Sequence, residues 1–323
     1  MTKTNDDPAA NAIREIPVWK SWRWRLARAI VIYLFVPYAA IVLIFTSLQR
    51  TFMYPATTAD HLAADETSLK QGTIHELTFV ANDGIELHGW LILAEGHSAN
   101  TEQEVSAELN SGRKTVIYFP GNSGNRGERL ADLHELSRRN LNVICFDYRG
   151  YGDNPGSPSE SALIEDAWKV WGLATKQKSI PAGNLLLFGE SLGGSVAIQT
   201  AARASREGTP PAALILSSTF LSMTDNVKRE YPFFPVDLML WDTWRSDRFA
   251  AEVDCPVLMF HGTSDEFVPV AAARGLIGLF PARAEFEFGH RWHEVKGGTH
   301  NDISPMLLKT ELERLLSHLD QDP

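Results

Sequence analysis

Gly189-Glu-Ser-Leu-Gly193 stands directly after the apolar run Asn184-Leu-Leu-Leu-Phe188 and directly before Gly194-Ser-Val-Ala-Ile-Gln-Thr-Ala-Ala202. The first flank reads as a buried strand and the second as a helix. A Gly-x-Ser-x-Gly string by itself is a common turn. Between a strand and a helix it is a nucleophile elbow, in which flanking glycines permit a sharp turn and the serine hydroxyl points above the sheet edge. The N-terminus of the following helix favours negative charge developing nearby.

A serine hydroxyl becomes a useful nucleophile only when a neutral imidazole takes its proton and a buried carboxylate orients the imidazolium that forms. Both partners are expected downstream. The short apolar stretch Cys255-Pro-Val-Leu-Met-Phe260 runs into His261-Gly-Thr-Ser-Asp265-Glu-Phe-Val-Pro269, which puts Asp265 on the loop leaving a strand. A second strand-like stretch, 285–295, ends in Lys296-Gly-Gly-Thr-His300-Asn-Asp302, and a helical pattern follows over 304–319. Loops leaving parallel strands emerge at one carboxyl edge, so Ser191, Asp265 and His300 converge across 74 and 35 residues of sequence. Glu266 competes with Asp265 for the acid role. Of the other histidines, His290 and His293 lie inside the strand-like stretch, and His261 is expected to shape the acid loop.

Acyl transfer also needs donors for the oxyanion. The strand Thr115-Val-Ile-Tyr-Phe119 leads through Pro120-Gly-Asn-Ser-Gly-Asn125 into a helix expected over 126–140. The N–H of Asn122 or Ser123, with that of Leu192 just after the nucleophile, is the expected oxyanion hole; a plain strand-to-helix turn is the simpler reading of the same residues.

With these residues in place, the chain resembles the α/β-hydrolase superfamily, and within it a branch of single-pass, membrane-anchored serine hydrolases related to depalmitoylases and lysophospholipases. The matching stretches are Pro120-Gly-Asn-Ser-Gly-Asn125, Phe146-Asp-Tyr-Arg-Gly-Tyr-Gly152 with Pro158-Ser-Glu160, Gly189-Glu-Ser-Leu-Gly193, His261-Gly-Thr-Ser-Asp265 and Gly298-Thr-His-Asn-Asp302. They are specific for the fold and poorly specific for substrate. The resemblance implies a mostly parallel sheet with helices on both faces and a short helical lid. Where members commonly carry histidine before the glycine of the oxyanion loop, this chain has Pro120, whose restricted φ must then set the loop. Asp147, Arg149 and Tyr151 belong to a shared motif, with a structural role expected for the Asp and Arg, tying loops together by a charge-assisted contact.

Residues 29–48 contain no charged side chain, and at 1.5 Å rise per residue they cover about 30 Å, one hydrocarbon thickness. The stretch is apolar all round, unlike a helix with one solvated face. Lys20, Arg23, Arg25 and Arg28 crowd its amino side with Trp19, Trp22 and Trp24. The positive-inside rule therefore predicts a cytoplasmic N-terminus and an extracytoplasmic catalytic domain. Pro37 is expected to kink the span. Ser47-Leu-Gln-Arg-Thr-Phe makes a poor cleavage site for the alternative, a signal peptide.

The expected organisation is a basic tail over 1–28, the anchor over 29–48, a linker over 49–72 and a hydrolase domain over 73–320. Within that domain Asn82-Asp-Gly84 joins two alternating runs as a hairpin, and the lid lies at about 219–253. That insertion is rich in Tyr231, Phe233, Phe234, Leu238, Met239, Leu240, Trp241 and Trp244, which would offer an acyl chain an apolar slot or serve as core packing for a helical excursion.

Composition narrows the partners. Residues 51–323 hold 23 Lys+Arg and 37 Asp+Glu, a formal charge of −14, which argues against nucleic acid and against electrostatic binding to anionic lipid. Cys145 and Cys255 make no disulfide framework, no Cys/His cluster has metal-ligand spacing, and no cofactor is called for. No Asn-x-Ser/Thr sequon is present, which favours the periplasmic side of a bacterial inner membrane over a glycosylated lumen. The expected activity is cleavage of carboxylic esters or thioesters through an acyl-enzyme. An aminopeptidase-type peptidase, with Glu190 or Glu266 holding the peptide amine, and a non-catalytic scaffold on the same fold are the alternatives.

Overall fold

The computed structural model describes residues 18–282, 288–303 and 309–320. The chain divides into two compact units, Met1–Leu48 and Gln49–Pro323. At its front, helices α1 (Val18–Ile30) and α2 (Val36–Met53) are joined by a single π-helical turn, Val31–Phe35. The cause is Pro37, which has no N–H to continue the ladder. The Val36 N–H bonds instead to the Val31 carbonyl, five residues back, so a π-turn absorbs what was expected to be a simple kink. Among the described residues one helical stretch, Trp22–Met53, is long and apolar enough to cross a membrane.

In the second unit the sheet opens with the expected hairpin. Strands β1 (Ile74–Val80) and β2 (Glu86–Ile92) pair antiparallel, and Gly84 at φ +85° supplies the left-handed turn residue. The sheet continues through β3 (Thr115–Phe119), β4 (Asn142–Phe146), β5 (Leu185–Glu190), β6 (Ala213–Ser217), β7 (Val257–Gly262) and β8 (His290–Val295), in the spatial order β1-β2-β4-β3-β5-β6-β7-β8. From β4 to β8 every pairing is parallel. Alternation within the strands explains the layering. Ile117, Ile144, Leu187, Leu216 and Met259 face one core, and Val116, Val143, Leu186, Ile215 and Leu258 face the other.

The crossover helices cover both faces. Helix α3 (Glu102–Leu109) precedes β3, α4 (Leu130–Ser137) precedes β4, α5 (Glu160–Gly172) precedes β5 and α6 (Leu192–Arg206) follows it. Val196, Ala197, Ile198 and Ala201 of α6 pack with Leu163 and Val170 of α5 in the first core, whereas Leu133 and Leu136 of α4 lie in the second. The lid segment carries α7 (Met223–Glu230), α8 (Val236–Met239) and α9 (Ser246–Phe249). Helix α10 (Val270–Ile277) leads to β8, and α11 (Lys309–Leu319) inserts Leu312 and Leu315 into the second core.

Three expectations need correction. Residues 49–72 are no linker: Met53 and Tyr54 are buried, and Ala56 and Thr58 bridge to Gly124 and Gly152, so the segment is clamped to the loops leaving β3 and β4. Residues 95–114 read from the sequence as a polar connection, but they contain α3, held by a Thr101/Glu104 capping box whose spacing is visible in the sequence. The helix expected over 126–140 is regular only over Leu130–Ser137; ahead of it Asn125 accepts the Gly127 and Glu128 N–H groups, and the Leu130 N–H turns back to the Gly127 carbonyl, so the first turn is a loose turn rather than α-helix. Part of the strand expected over 285–295 and part of the helix expected over 304–319 lie outside the described residues.

Candidate active site

Strand β5 ends at Glu190 and α6 begins at Leu192, which leaves Ser191 alone at the junction with φ +50° and ψ −113°. A non-glycine residue held at positive φ is strained and persists only where its surroundings over-determine it. Here the Ser191 N–H donates to the Ser217 carbonyl at 2.8 Å, and the Ser191 carbonyl accepts from Thr219 Oγ1 at 2.8 Å and from the Gly194 N–H at 3.0 Å. The flanking glycines act through space rather than through φ. A Cβ on Gly189 would sit 2.5 Å from the Gly193 carbonyl oxygen, and one on Gly193 would run into the carbonyl oxygens of Phe119 and Pro120. The strain thus falls on the serine, and the glycines let β5, α6 and the loop after β3 close around it.

The loops after β7 and β8 bring the other two residues to the same edge. His300 Nε2 lies 3.0 Å from Ser191 Oγ, and His300 Nδ1 lies 2.8 Å from Asp265 Oδ2. The Asp265 carboxylate is fully buried. It accepts the Phe267 and Val268 N–H groups at 2.9 and 2.7 Å on Oδ1, and His261 Nε2 at 3.2 Å on Oδ2. Burial alone would raise its pKa. The hydrogen bonds from His261, His300 and the Val268 N–H outweigh burial and hold the carboxyl well below the usual carboxylate range. His261 is buried, and its Nε2 also meets the Val268 carbonyl at 2.8 Å. Both neighbours of Nε2 are acceptors, so that nitrogen carries the proton. His261 therefore closes the acid loop and orients Asp265 at once. Glu266 is exposed, and Phe267 lays its ring edge-on against His300 at 5.2 Å between centroids.

The loop after β3 lies against this group from the other side. Three donors hold its carbonyls: Tyr148 Oη bonds to Pro120 O at 2.8 Å, Tyr151 Oη to Asn122 O at 2.8 Å, and Arg129 Nη2 to Ser123 O at 3.3 Å. With its carbonyls so engaged, the loop keeps its N–H groups available. Among the described residues neither the Asn122 nor the Ser123 N–H donates to a protein acceptor. Leu192 opens α6, so its N–H is one of the first-turn donors that no intrahelical carbonyl can reach. The Asn122 side chain meanwhile donates to the Met53 carbonyl at 2.9 Å. The sequence singles out neither Tyr148 nor Arg129. Tyr148 lies within the Asp-Tyr-Arg-Gly motif, and that position was its only signal.

Asp147 and Arg149 each tie loops together, but with separate partners. Asp147 pairs with Arg126 at 2.6 Å, which also takes Asp153, whereas Arg149 grips Asp166 with two bonds of 2.7 Å and reaches Asp83. Glu190 is also engaged: it accepts Tyr118 Oη at 2.6 Å and pairs with Arg129 at 3.4 Å. In the lid, Trp244 is fully buried while Tyr231, Phe233, Leu238 and Trp241 are exposed, so the aromatic residues do not form one slot.

The family described as serine aminopeptidase, S33, matches residues 110–250. An uncharacterized Mycobacterium tuberculosis protein, Rv2307c, is 32% identical over 280 residues, covering 87% of this chain and 90% of the relative. The lysophosphatidylserine lipase ABHD12 of Danio rerio is 30% identical over 295 residues, covering 83% and 76%. Among solved structures, an α/β hydrolase from Vibrio vulnificus superimposes with a TM-score of 0.59 at 17% identity, covering 76% of this chain and 81% of that one. Sheet order, elbow, loop placement and these relatives agree: the chain belongs to the α/β-hydrolase superfamily, in its ABHD12-like branch.

Proposed function

We propose that the protein is a membrane-tethered serine hydrolase that cleaves carboxylic esters or thioesters of acyl substrates. The observation that carries this reading is the continuous line from Ser191 Oγ through His300 to Asp265, with contacts of 3.0 and 2.8 Å, on a serine held at positive φ. His300 takes the hydroxyl proton as Ser191 attacks the acyl carbonyl. Asp265 stays ionised and stabilises the imidazolium. The tetrahedral oxyanion is held by the N–H groups of Leu192 and of Asn122 or Ser123, supported by the α6 N-terminus. His300 then returns the proton to the leaving group, and water, activated by the same imidazole, releases the acyl-enzyme.

An ester-cleaving role is supported by the similarity to a lysophosphatidylserine lipase and by the apolar Phe267 ring beside His300. The peptidase alternative draws on the family description, but it needs a carboxylate to hold a peptide amine, and Glu190 already carries Arg129 and Tyr118. A scaffold without chemistry would have no use for the strained serine. The anchor is read from the apolar helix; the basic flank before it supports an extracytoplasmic catalytic unit, and the absence of an Asn-x-Ser/Thr sequon supports a periplasmic one.

The test combines a fluorophosphonate probe with an ester series of rising acyl length. Wild type should label and turn over, and Ser191→Ala should do neither while keeping its unfolding temperature. A wild type that neither labels nor hydrolyses would favour the scaffold, and preference for an aminoacyl amide over every ester would favour the peptidase.

A further inference from the structure

Within two residues of the end of the charge-free span, the chain is bonded to the lid. Gln49 Nε2 donates to the Met239 carbonyl at 2.9 Å, and Gln49 Oε1 accepts the Trp241 N–H at 2.8 Å. The Arg50 guanidinium takes both oxygens of Asp242 at 2.8 and 3.0 Å, and Tyr54 Oη joins the same carboxylate at 3.0 Å. The buried Trp244 indole N–H closes the cluster on Tyr54 Oη at 3.1 Å. A bidentate guanidinium–carboxylate pair with further donors on the same carboxylate fixes orientation as well as proximity.

Beside this latch the lid presents an apolar face. Leu238 is 85% exposed, Phe233 87%, Trp241 57% and Tyr231 54%. These residues fall on α8 and its flanks, in a segment bonded to Gln49, Arg50 and Tyr54. Trp241 and Tyr231 are the side-chain types that settle at the headgroup level, where one end is wet and the other apolar, and Arg50 lies over the Trp241 ring at 5.6 Å. The face leads toward the site: Arg229 at the end of α7 donates to the Phe267 carbonyl, and the exposed Phe267 ring touches His300. The formal charge of −14 on residues 51–323 gives this unit no electrostatic hold on anionic lipid, so contact with a membrane has to be apolar.

We infer that the lid face formed by Tyr231, Leu238 and Trp241 rests in the headgroup region of the bilayer that the anchor enters, so that substrate passes from the lipid to Ser191 without crossing water. The inference rests on the reading of residues 29–48 as a membrane span, and the test separates the two. Full-length Leu238→Cys carries an environment-sensitive fluorophore, with Glu207→Cys at the far end of α6 as the control, both in phosphatidylcholine vesicles. The native Cys145 and Cys255 are buried and escape labelling. The expected result is flotation with the vesicles, a blue shift at 238 only, and quenching at 238 by lipids bearing a shallow spin label. Flotation with 238 as water-exposed as 207 would overturn the docking and leave the anchor intact, and failure to float would overturn both. A probe at 238 already shielded in detergent, with a doubled particle mass, would assign the face to a second copy and also overturn the inference. Independently, Trp241→Glu should lower turnover of a vesicle-embedded long-chain ester about tenfold and leave a short water-soluble ester within twofold. Equal loss on both substrates would contradict it.

Discussion

The nucleophile elbow and the lid are both built on strand-to-helix connections, but they solve opposite problems. At the elbow the backbone is over-determined: carbonyls, N–H groups and two glycine faces close on one serine held in a conformation it does not prefer. In the lid the backbone is held at a few polar points, Asp242 and Gln49 above all, while apolar side chains stay outside the core. The difference teaches where precision is needed. On the proposed mechanism, proton transfer tolerates only errors of a fraction of an ångström and falls to the rigid sheet edge, whereas contact with an apolar substrate or surface needs area and little geometry.

If the comparison is right, damage at the elbow and in its loops should destroy chemistry, and damage in the lid should spare it. The largest effect belongs to His300→Ala, which should lower kcat roughly 10⁵-fold on a short soluble ester, read by steady-state kinetics with unchanged unfolding. Asp265→Asn follows at about 10⁴-fold. That residue also supplies a pH signature. Because its folded-state pKa is depressed, its contribution to stability is fully present above the unfolded carboxyl pKa of about 4 and is lost as pH falls through the lower folded value. The stability gap between wild type and Asp265→Asn should therefore be flat from pH 8 to 5 and shrink at more acid pH, as measured by denaturant unfolding.

Gly193→Ala should cost about 3 kcal/mol of stability, because its Cβ would collide with backbone carbonyls that have little room to move. Thermal unfolding reads this directly. Tyr151→Phe removes one of the three donors on the loop after β3 and, if that loop holds the oxyanion as proposed, should lower kcat about fivefold to tenfold, with KM nearly unchanged, since the loss bears on the transition state. The smallest effect is expected in the lid: Asp242→Asn should cost about 1 kcal/mol, because its partner Arg50 is partly solvated, and leave turnover of a short ester within twofold. A hundredfold loss of turnover there would break the comparison.

Much of the elbow is legible in the sequence because its constraints are local. Two glycines, a serine and the change from an apolar run to a helical pattern lie within twenty residues. Asp265 and His300 are legible for the same reason, each on a polar loop directly after a strand. What escapes is long-range pairing. A charge-assisted role for Asp147 and Arg149 is readable, but their partners are not: Asp147 meets Arg126 in the turn before α4, and Arg149 meets Asp166 on α5. Tyr148, which donates to Pro120 O in the loop after β3, likewise comes from the loop after β4, whose approach no periodicity encodes. Residues 49–72 look like a linker because their few apolar residues, Met53 and Tyr54 among them, show no repeat. Their role depends on the loops they meet. The capping box of α3 was open to a sequence reading and lay hidden in a stretch that is otherwise merely polar.

The central claim is that Ser191 carries the acyl group. Rapid-quench intact-mass spectrometry with a slowly deacylating ester, followed by peptide mapping, tests it without reliance on an inhibitor. The account predicts one acyl adduct per chain on the peptide containing Ser191, formed within the first turnover and absent from Ser191→Ala. Hydrolysis with no adduct, or an adduct on any other residue, would contradict it.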